Sequence, residues 1–500
     1  MGYYITKFDE TSELTSFSAT TDFLTPHVSL TKDDYNVHFF ENYSKQYLTF
    51  FINGNGTVKF SGNTIQYSTD LGRTWTALAS NVELTVYDRQ IIMWKASGLT
   101  PTSSNGIGRF SSTTEFDVEG NPMSLLYGDD FKGKTSLSGK NYAFKYLFDG
   151  CTNLVSAENL SLLATTLATQ CYYYMFRGCT SLTTAPSLLA TRLTTNCYYG
   201  MFNGCTSLTT APQLPATTLA NGCYQDMFRG CTSLTTAPSL PATTLANDCY
   251  HGMFNGCIAL TTAPQLLATT LSNYCYQYMF RDCTSLTTAP ELLATTLASE
   301  CYFSMFQGCT SLTTAPQLPA TTLATNCYRN MFFGCTSLTT APSLPATTLT
   351  DNCYYSMFQG CTSLTTAPSL PATTLANSCY REMFQLCTAL TTAPELPATT
   401  LVSNCYYYMF YGCRTLTTAP ELLATELASG CCTSMFRDCT SLNYIKAMFT
   451  TEPSTTYTYN WVNGVASSGT FVKNSAASWT TTGVNGIPIG WTVETETPAA

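Results

Sequence analysis

One 26-residue unit, written ten times without a gap from Cys171 to Gly430, constrains this chain more than anything else in it. The first copy reads CYYYMFRGCTSLTTAPSLLATRLTTN (171–196) and the tenth CYYYMFYGCRTLTTAPELLATELASG (405–430). A divergent 28-residue copy precedes the array, with Ala143, Phe148, Cys151 and Leu154 in place of Cys, Phe, Cys and Leu; a broken copy, CCTSMFRDCTSL, follows at 431–442. Repetition at this period is the mark of a solenoid, in which no unit buries its apolar face until the next one stacks on it.

Each repeat is numbered here from its first Cys. Positions 1–8, C-Y-x-x-M-F-x-G, read as a short helix. At about 100° per residue, positions 1, 2, 5, 6 and 9 share an arc of about 140°, and positions 3, 4, 7 and 8 face away from it. Gly at position 8 suits a left-handed helix end, with Asp282 and Leu386 replacing it in two repeats. Positions 12–18, L-T-T-A-P-x-L, read as extended, with Leu and Ala inward and Thr outward. Pro at position 16 has no N–H for a ladder, which confines any strand to L-T-T-A. Each Met, Phe or Leu turned inward contributes about 1.5–3 kcal/mol once the next repeat covers it.

Composition narrows the function. Charged residues are 11% of the chain and the formal charge is −9, so there is no basic stripe to neutralise phosphates, and nucleic acid is not an expected partner. No apolar run approaches the ~18 residues of a membrane span. The opening, MGYYITKFDETSEL, has neither the basic start nor the apolar core of a secretory signal. All 24 cysteines belong to the repeats and their flanking copies, at apolar positions. Spaced as C-x7-C beside only three His, they read as buried free thiols rather than metal ligands. The histidines are scattered, and the carboxylates show no recurring pair. Without a Cys–His dyad or a phosphate loop, no catalytic, cofactor or metal residues are expected, and the chain is not read as an enzyme.

Outside the array the pattern changes. Residues 1–45 are polar and acidic and read as an extended arm that docks on something else. From 46 to 96, short alternating runs (YLTFFI, GTVKF, NTIQYS, VELTVY, QIIMWK) predict a small β-rich anchoring domain. It contains Ser68-Thr69-Asp70-Leu71-Gly72-Arg73-Thr74-Trp75, which resembles the Asp-box, S-x-D-x-G-x-T-W, of sialidases and other β-proteins. That motif shapes a hairpin turn and occurs here once, so it is read as structural. Residues 97–142 are assigned as an N-terminal cap, 143–450 as the solenoid, and 451–500 as a C-terminal cap and tail. The five Trp all lie outside the ten repeats. The resulting fold class is α+β: a solenoid with caps, preceded by a small β-rich domain.

Comparison among the repeats shows where recognition would sit. Positions 1, 5, 6, 9, 12 and 16 scarcely change, whereas 3, 4 and 7 vary and are rich in Tyr, Arg and Gln. Tyr and Arg are the residues enriched at binding hot spots. The candidate ligand-binding stripe is Tyr173, Tyr174, Arg177, Tyr199, Arg229, Tyr278, Arg281, Tyr355, Tyr407, Tyr408 and Tyr411. Neutral drift of an exposed helix face is the competing explanation. The Thr pairs at positions 13–14 and 21–22 form a second regular surface, which suits exposed strands or, less simply, a repeating lattice.

The run MF-x-G-C-T-S-L-x-x-x-x-x-LP resembles the BspA-like leucine-rich repeats, whose units read roughly A-F-x-G-C-x-x-L-x-x-I-x-I-P. The match covers about 143–450, in a longer unit and with Ala-Pro where the family has an inward Ile. The resemblance implies a leucine-rich-repeat stack and a setting among surface adhesins of host-associated bacteria or virion proteins of gut phages. It carries no catalytic residues. Together with the unmarked N-terminus, it implies an adhesion protein of a phage virion (tail or decoration) that meets a host-surface glycan or protein. The N-terminal region would contact other virion proteins, and homo-oligomerisation is left open. A bacterial cell-surface adhesin and a purely structural spacer are the alternatives.

Overall fold

In the computed structural model, residues 46–497 are described; the expected arm at 1–45 lies outside them. The alternating runs become strands. They are β1 (Leu48–Asn53), β2 (Gly56–Ser61), β3 (Ile65–Ser68), β4 (Thr76–Leu78), β5 (Glu83–Val86) and β6 (Ile91–Lys95). Two more come from the 97–142 stretch, β7 (Arg109–Ser112) and β8 (Glu115–Glu119). β8 pairs with β1 and β7 with β2, so that stretch shares its sheets with 46–96. One sheet runs β4-β3-β6-β1-β8 and ends on β9 (Leu154–Ser156), and the other runs β5-β2-β7. Phe50, Trp94, Phe110 and Phe116 are buried and in mutual ring contact between them, with Phe50 4.8 Å from Phe110 and 4.7 Å from Phe116.

The Asp-box segment closes the turn between β3 and β4. Thr74 donates to Asp70 from its N–H and its hydroxyl (2.9 and 2.6 Å), and Gly72 N–H donates to Ser68 Oγ at 2.8 Å. Burial works against the Asp70 carboxylate, but the bonds from Thr74, Ser68 and Arg73 outweigh it and bring the group down to about 2. All of its strong partners are within its own turn.

The expected helix at positions 1–8 is not there. Among the described residues the only helical segments are one turn of α1 (Ser124–Tyr127) and a 3-10 turn at Gly128–Phe131, both outside the repeats. Each repeat instead runs through consecutive β-turns. In the first, Met175 N–H donates to the Tyr172 carbonyl and Arg177 N–H to that of Tyr174, both at 3.2 Å. The intervening N–H groups point along the stack: Tyr172 donates to Cys197, Tyr174 to Tyr199, Phe176 to Met201 and Gly178 to Asn203. This alternation requires a left-handed residue every fourth place, at positions 26, 4 and 8. Asn326, Asn330 and Gly334 have φ of 56°, 55° and 69°, and Asn352, Ser356 and Gly360 follow suit. A helix tolerates none of these, so backbone conformation overrides the apolar periodicity. The α+β expectation is corrected accordingly: the repeats are turns and isolated bridges, with few helices among the described residues.

The extended half of each repeat is shorter than L-T-T-A. Pairing is a single parallel bridge at the second Thr, as in Thr314↔Thr340 and Thr340↔Thr366, with another at position 22 in Thr296↔Thr322. Only the ends of the array form true strands. β9 (Leu154–Ser156) adds parallel to β8. At the other end β10 (Tyr444–Ala447), β11 (Thr470–Asn474) and β12 (Thr492–Glu496) make a parallel sheet, so the expected tail is partly a strand.

Inside the stack, identical side chains sit on one another. Phe at position 6 stacks at 5.4 Å (Phe148, Phe176, Phe202) and 5.6–5.7 Å (Phe228 onward). Tyr at position 2 forms a parallel buried column, with Tyr302 5.7 Å from Tyr328. All 24 cysteines are free and buried. Each position-9 thiol whose bond is resolved donates back to the position-6 carbonyl of the preceding repeat, as Cys335 does to Phe306 at 3.1 Å. Burial pushes the Cys335 thiol up to about 12.

The chain divides into two compact units at Ala216/Thr217. In the first unit, a residue from β7 starts the Phe column. Phe110 stacks on Phe148 at 5.8 Å, and its carbonyl accepts from Cys151 Sγ at 2.9 Å. In the second unit, the turn ribbon continues past the last recognisable copy: Phe436 N–H donates to Trp461, and Asn460 and Gly464 have φ of 52° and 80°. Residues 457–464 thus make a further rung in a segment with no C-T-S-L.

Candidate recognition surface

Position 7 and, Gln277 excepted, position 3 are partly buried or exposed, whereas position 4 is mixed: Tyr174, Tyr278, Asn330 and Tyr408 are partly exposed, but Asp226, Ser304 and Ser356 are buried. Because position 4 is left-handed, the prevalence of Gly, Asn, Asp and Ser there has a backbone cause; it is not free drift.

The candidate residues fall into four groups. Tyr173, Tyr174, Arg177 and Tyr199 lie together: Tyr173 stacks on Tyr199 at 4.7 Å with 14° between planes, and the Arg177 guanidinium sits 4.5 Å over Tyr174. Arg177 is fixed from the other side by Asp149 (2.6 and 2.9 Å), whose buried carboxylate also takes Arg109 at 2.9 Å. This carboxylate raises the Arg177 pKa above its ordinary value. Arg229 is exposed, 3.7 Å from Asp226. Tyr278 meets Phe303 edge-on at 5.3 Å and Arg281 at 5.4 Å, and burial raises its phenol pKa. Tyr407, Tyr408 and Tyr411 form the last cluster, with 4.6 and 5.4 Å between successive rings.

Tyr355 belongs to an arrangement that sequence comparison missed. Position 3 of five successive repeats is Phe303, Arg329, Tyr355, Arg381 and Tyr407, an alternation of rings and cations. Arg329 lies 5.5 Å from Phe303 and 4.4 Å from Tyr355; Arg381 lies 5.0 Å from Tyr355 and 4.4 Å from Tyr407. Each such contact contributes about 0.5–1 kcal/mol at a half-exposed site. Arg329 and Arg381 were visible as variable residues, and their 52-residue spacing, two repeats, was the signal that places them in one column.

Two chemical consequences follow. Rings stacked on one another or on guanidinium groups turn edges and hydroxyls outward and keep their faces inward, so the column is not a flat platform for a sugar ring. Second, the donors are held in place before any ligand arrives, which lowers the ordering cost of binding. His251, also at position 3, is pushed down to about 4 by burial and is neutral near pH 7.

On another edge, Thr at positions 13, 14, 21 and 22 is exposed in the repeats of the second unit. There, position-13 hydroxyls donate to the preceding position-13 carbonyl, as Thr339 does to Thr313 at 3.2 Å. Among the described residues no three His, Cys, Asp or Glu side chains are grouped to hold a metal, and no helix is long and apolar enough to cross a membrane.

Comparison with known families agrees with this geometry. The BspA type leucine-rich repeat region matches in six copies over 141–260, 223–330 and 276–417, which together span more than half of the chain. The chain belongs to this family. No curated protein matches it.

Proposed function

We propose that this BspA-type repeat protein is a non-enzymatic recognition protein whose outer stripe of positions 3, 4 and 7 adheres to a glycan or protein on a host cell. The observation that carries this reading is the Phe303–Arg329–Tyr355–Arg381–Tyr407 column, where hydroxyl and guanidinium edges are held in register along successive repeats. Tyr and Arg in fixed geometry are what interface hot spots use. The proposed setting is a phage virion, in a tail or decoration protein whose N-terminal region attaches to other virion proteins. Family membership supports a bacterial surface adhesin as the second reading. Particle purification followed by immunoblotting separates the two.

The test is binding of the full chain to a panel of intact gut bacteria, beside a variant with Tyr173, Tyr199, Tyr355 and Tyr407 changed to Phe. The variant keeps every stacked ring and removes only the hydroxyls. Binding weakened at least tenfold at unchanged melting temperature is the expected result. Equal binding would move recognition off the stripe, toward the Thr columns, and absence of binding by either protein would favour a spacer.

A further inference from the structure

The arginines of the stripe are not alike. Arg177, Arg229, Arg281, Arg381 and Arg437 each lie 2.6–3.7 Å from a carboxylate, respectively Asp149, Asp226, Asp282, Glu382 and Asp438. Arg329 alone has no carboxylate within ion-pair distance among the described residues; its buried Nε meets no acceptor, which it shares with the Nε of Arg281 and Arg437. Nor is Glu300, the last residue of the repeat 275–300, its partner: that carboxylate accepts from Gln277 Nε2 at 3.0 Å and Asn326 Nδ2 at 3.4 Å. A second orphan lies two repeats further on, where the buried Oε1 of Gln385 finds no donor. At the ~4.8 Å spacing of paired chains the two are about 10 Å apart along the stack.

What sets Arg329 apart is therefore its missing counter-charge, and an uncompensated, half-buried guanidinium is costly. The Arg329 guanidinium is clamped between the rings of Phe303 and Tyr355, 5.5 and 4.4 Å away, and with its Nε closed to solvent a ligand would meet its two terminal Nη groups. A planar fork held this way matches the paired oxygens of a carboxylate or a sulfate. The position-7 residues from 307 to 385 are Gln307, Phe333, Gln359 and Gln385, neutral and suited to hydroxyl groups.

We propose that Arg329 is the anion-binding centre of the stripe and that its ligand is an acidic glycan, whose carboxylate or sulfate meets the Nη groups of Arg329 while its hydroxyls accept from the amides of the position-7 glutamines. The stripe is one narrow row of side chains per repeat, at positions 3, 4 and 7, a shape that suits an extended chain better than the broad face of ~800 Å² a protein partner needs. The inference rests on the adhesion reading above and deepens it.

The test measures calorimetric binding of the full chain to four probes: an oligogalacturonate, a sulfated dextran oligosaccharide, the neutral dextran oligosaccharide and a poly-glutamate peptide. Arg329→Gln and Arg329→Lys are run alongside, with melting temperatures recorded. At least one acidic glycan is expected to bind and the neutral one not. Arg329→Gln should weaken that binding tenfold or more, and Arg329→Lys should fall between, because it keeps the charge and loses the fork. Binding by only one acidic glycan identifies the anion. Unchanged binding by Arg329→Gln, equal binding of neutral dextran, or poly-glutamate binding as tightly as the glycans would overturn the proposal. The same proteins are applied to whole cells: if the parent chain adheres and Arg329→Gln adheres equally, adhesion stands and the anion site fails. Tight acidic-glycan binding without cell adhesion would uphold the anion site and remove the adhesion reading.

Discussion

Phe50 in the N-terminal sheets and Phe332 in the repeats are both fully buried, yet they are held in opposite ways. Phe50 touches Trp94, Phe110, Phe116 and Phe148, residues 44 to 98 places away, at interplanar angles from 35° to 67°. Phe332 stacks only on Phe306 and Phe358, 26 places away on either side, at 5° and 6°. The sheets form one mixed core in which every piece must be present. The repeats form a nearest-neighbour stack, in which one unit's loss is felt chiefly by the two beside it.

Alkali should separate the two regions most. Thiols at 9.0 in the unfolded chain and near 12 in the fold, such as Cys197 and Cys335, favour the folded state below pH 9 and lose that contribution as pH rises from 9 toward 12. Each pH unit in that window removes up to about 1.4 kcal/mol per buried thiol. No cysteine precedes Cys151, so the sheets lack this liability. Circular dichroism and thiol labelling between pH 8 and 12 are expected to show the repeats opening first; simultaneous loss of both regions would erase the distinction.

A smaller effect comes from deleting one ring. Phe332→Ala and Phe50→Ala should each cost about 3–5 kcal/mol. Hydrogen exchange is expected to report a local opening around residues 301–365 in the first variant and loss of protection throughout the sheets in the second. A uniform loss of protection in both would show that the repeats unfold as one body.

The smallest effect runs the other way. Leu386 occupies position 8 with φ of 60°, where most repeats have Gly, and it is 39% exposed. Replacing it by Gly relieves a left-handed backbone at little loss of burial, so Leu386→Gly should raise stability by about 1 kcal/mol. A fall in melting temperature would mean that the exposed leucine supports its neighbours by contact.

Several of these features were legible beforehand. The inward set Cys, Tyr, Met, Phe, Cys and Leu was readable because positions that must meet their own copies cannot vary, and the structure buries all of them. The exposure of positions 3 and 7 was readable as the complement of that set, but position 4 was not: Asp226, Ser304 and Ser356, on left-handed backbone, are buried. The pairing of Arg329 and Arg381 with the rings between them was not, because within one repeat they look like unrelated substitutions; only stacking makes them neighbours. The same limit hid the rung at 457–464, whose Asn460, Trp461 and Gly464 keep the turn geometry while abandoning the repeat's lettering.

By itself, the sequence determined the period, the stacked identity of the core and the family, because a 26-residue unit that cannot fold alone must bury its apolar side chains against its own copies. Tertiary structure decided the rest. Apolar spacing at positions 1, 2, 5, 6 and 9 fits a helix and a chain of turns equally well. The choice fell to N–H groups that find acceptors on the next repeat only when every fourth residue is left-handed. Likewise, Arg229, Arg281, Arg381 and Arg437 meet carboxylates of their own repeat, but the Arg177–Asp149 pair and the clamping of Arg329 and Arg381 between rings join neighbouring repeats, and no single repeat contains that information.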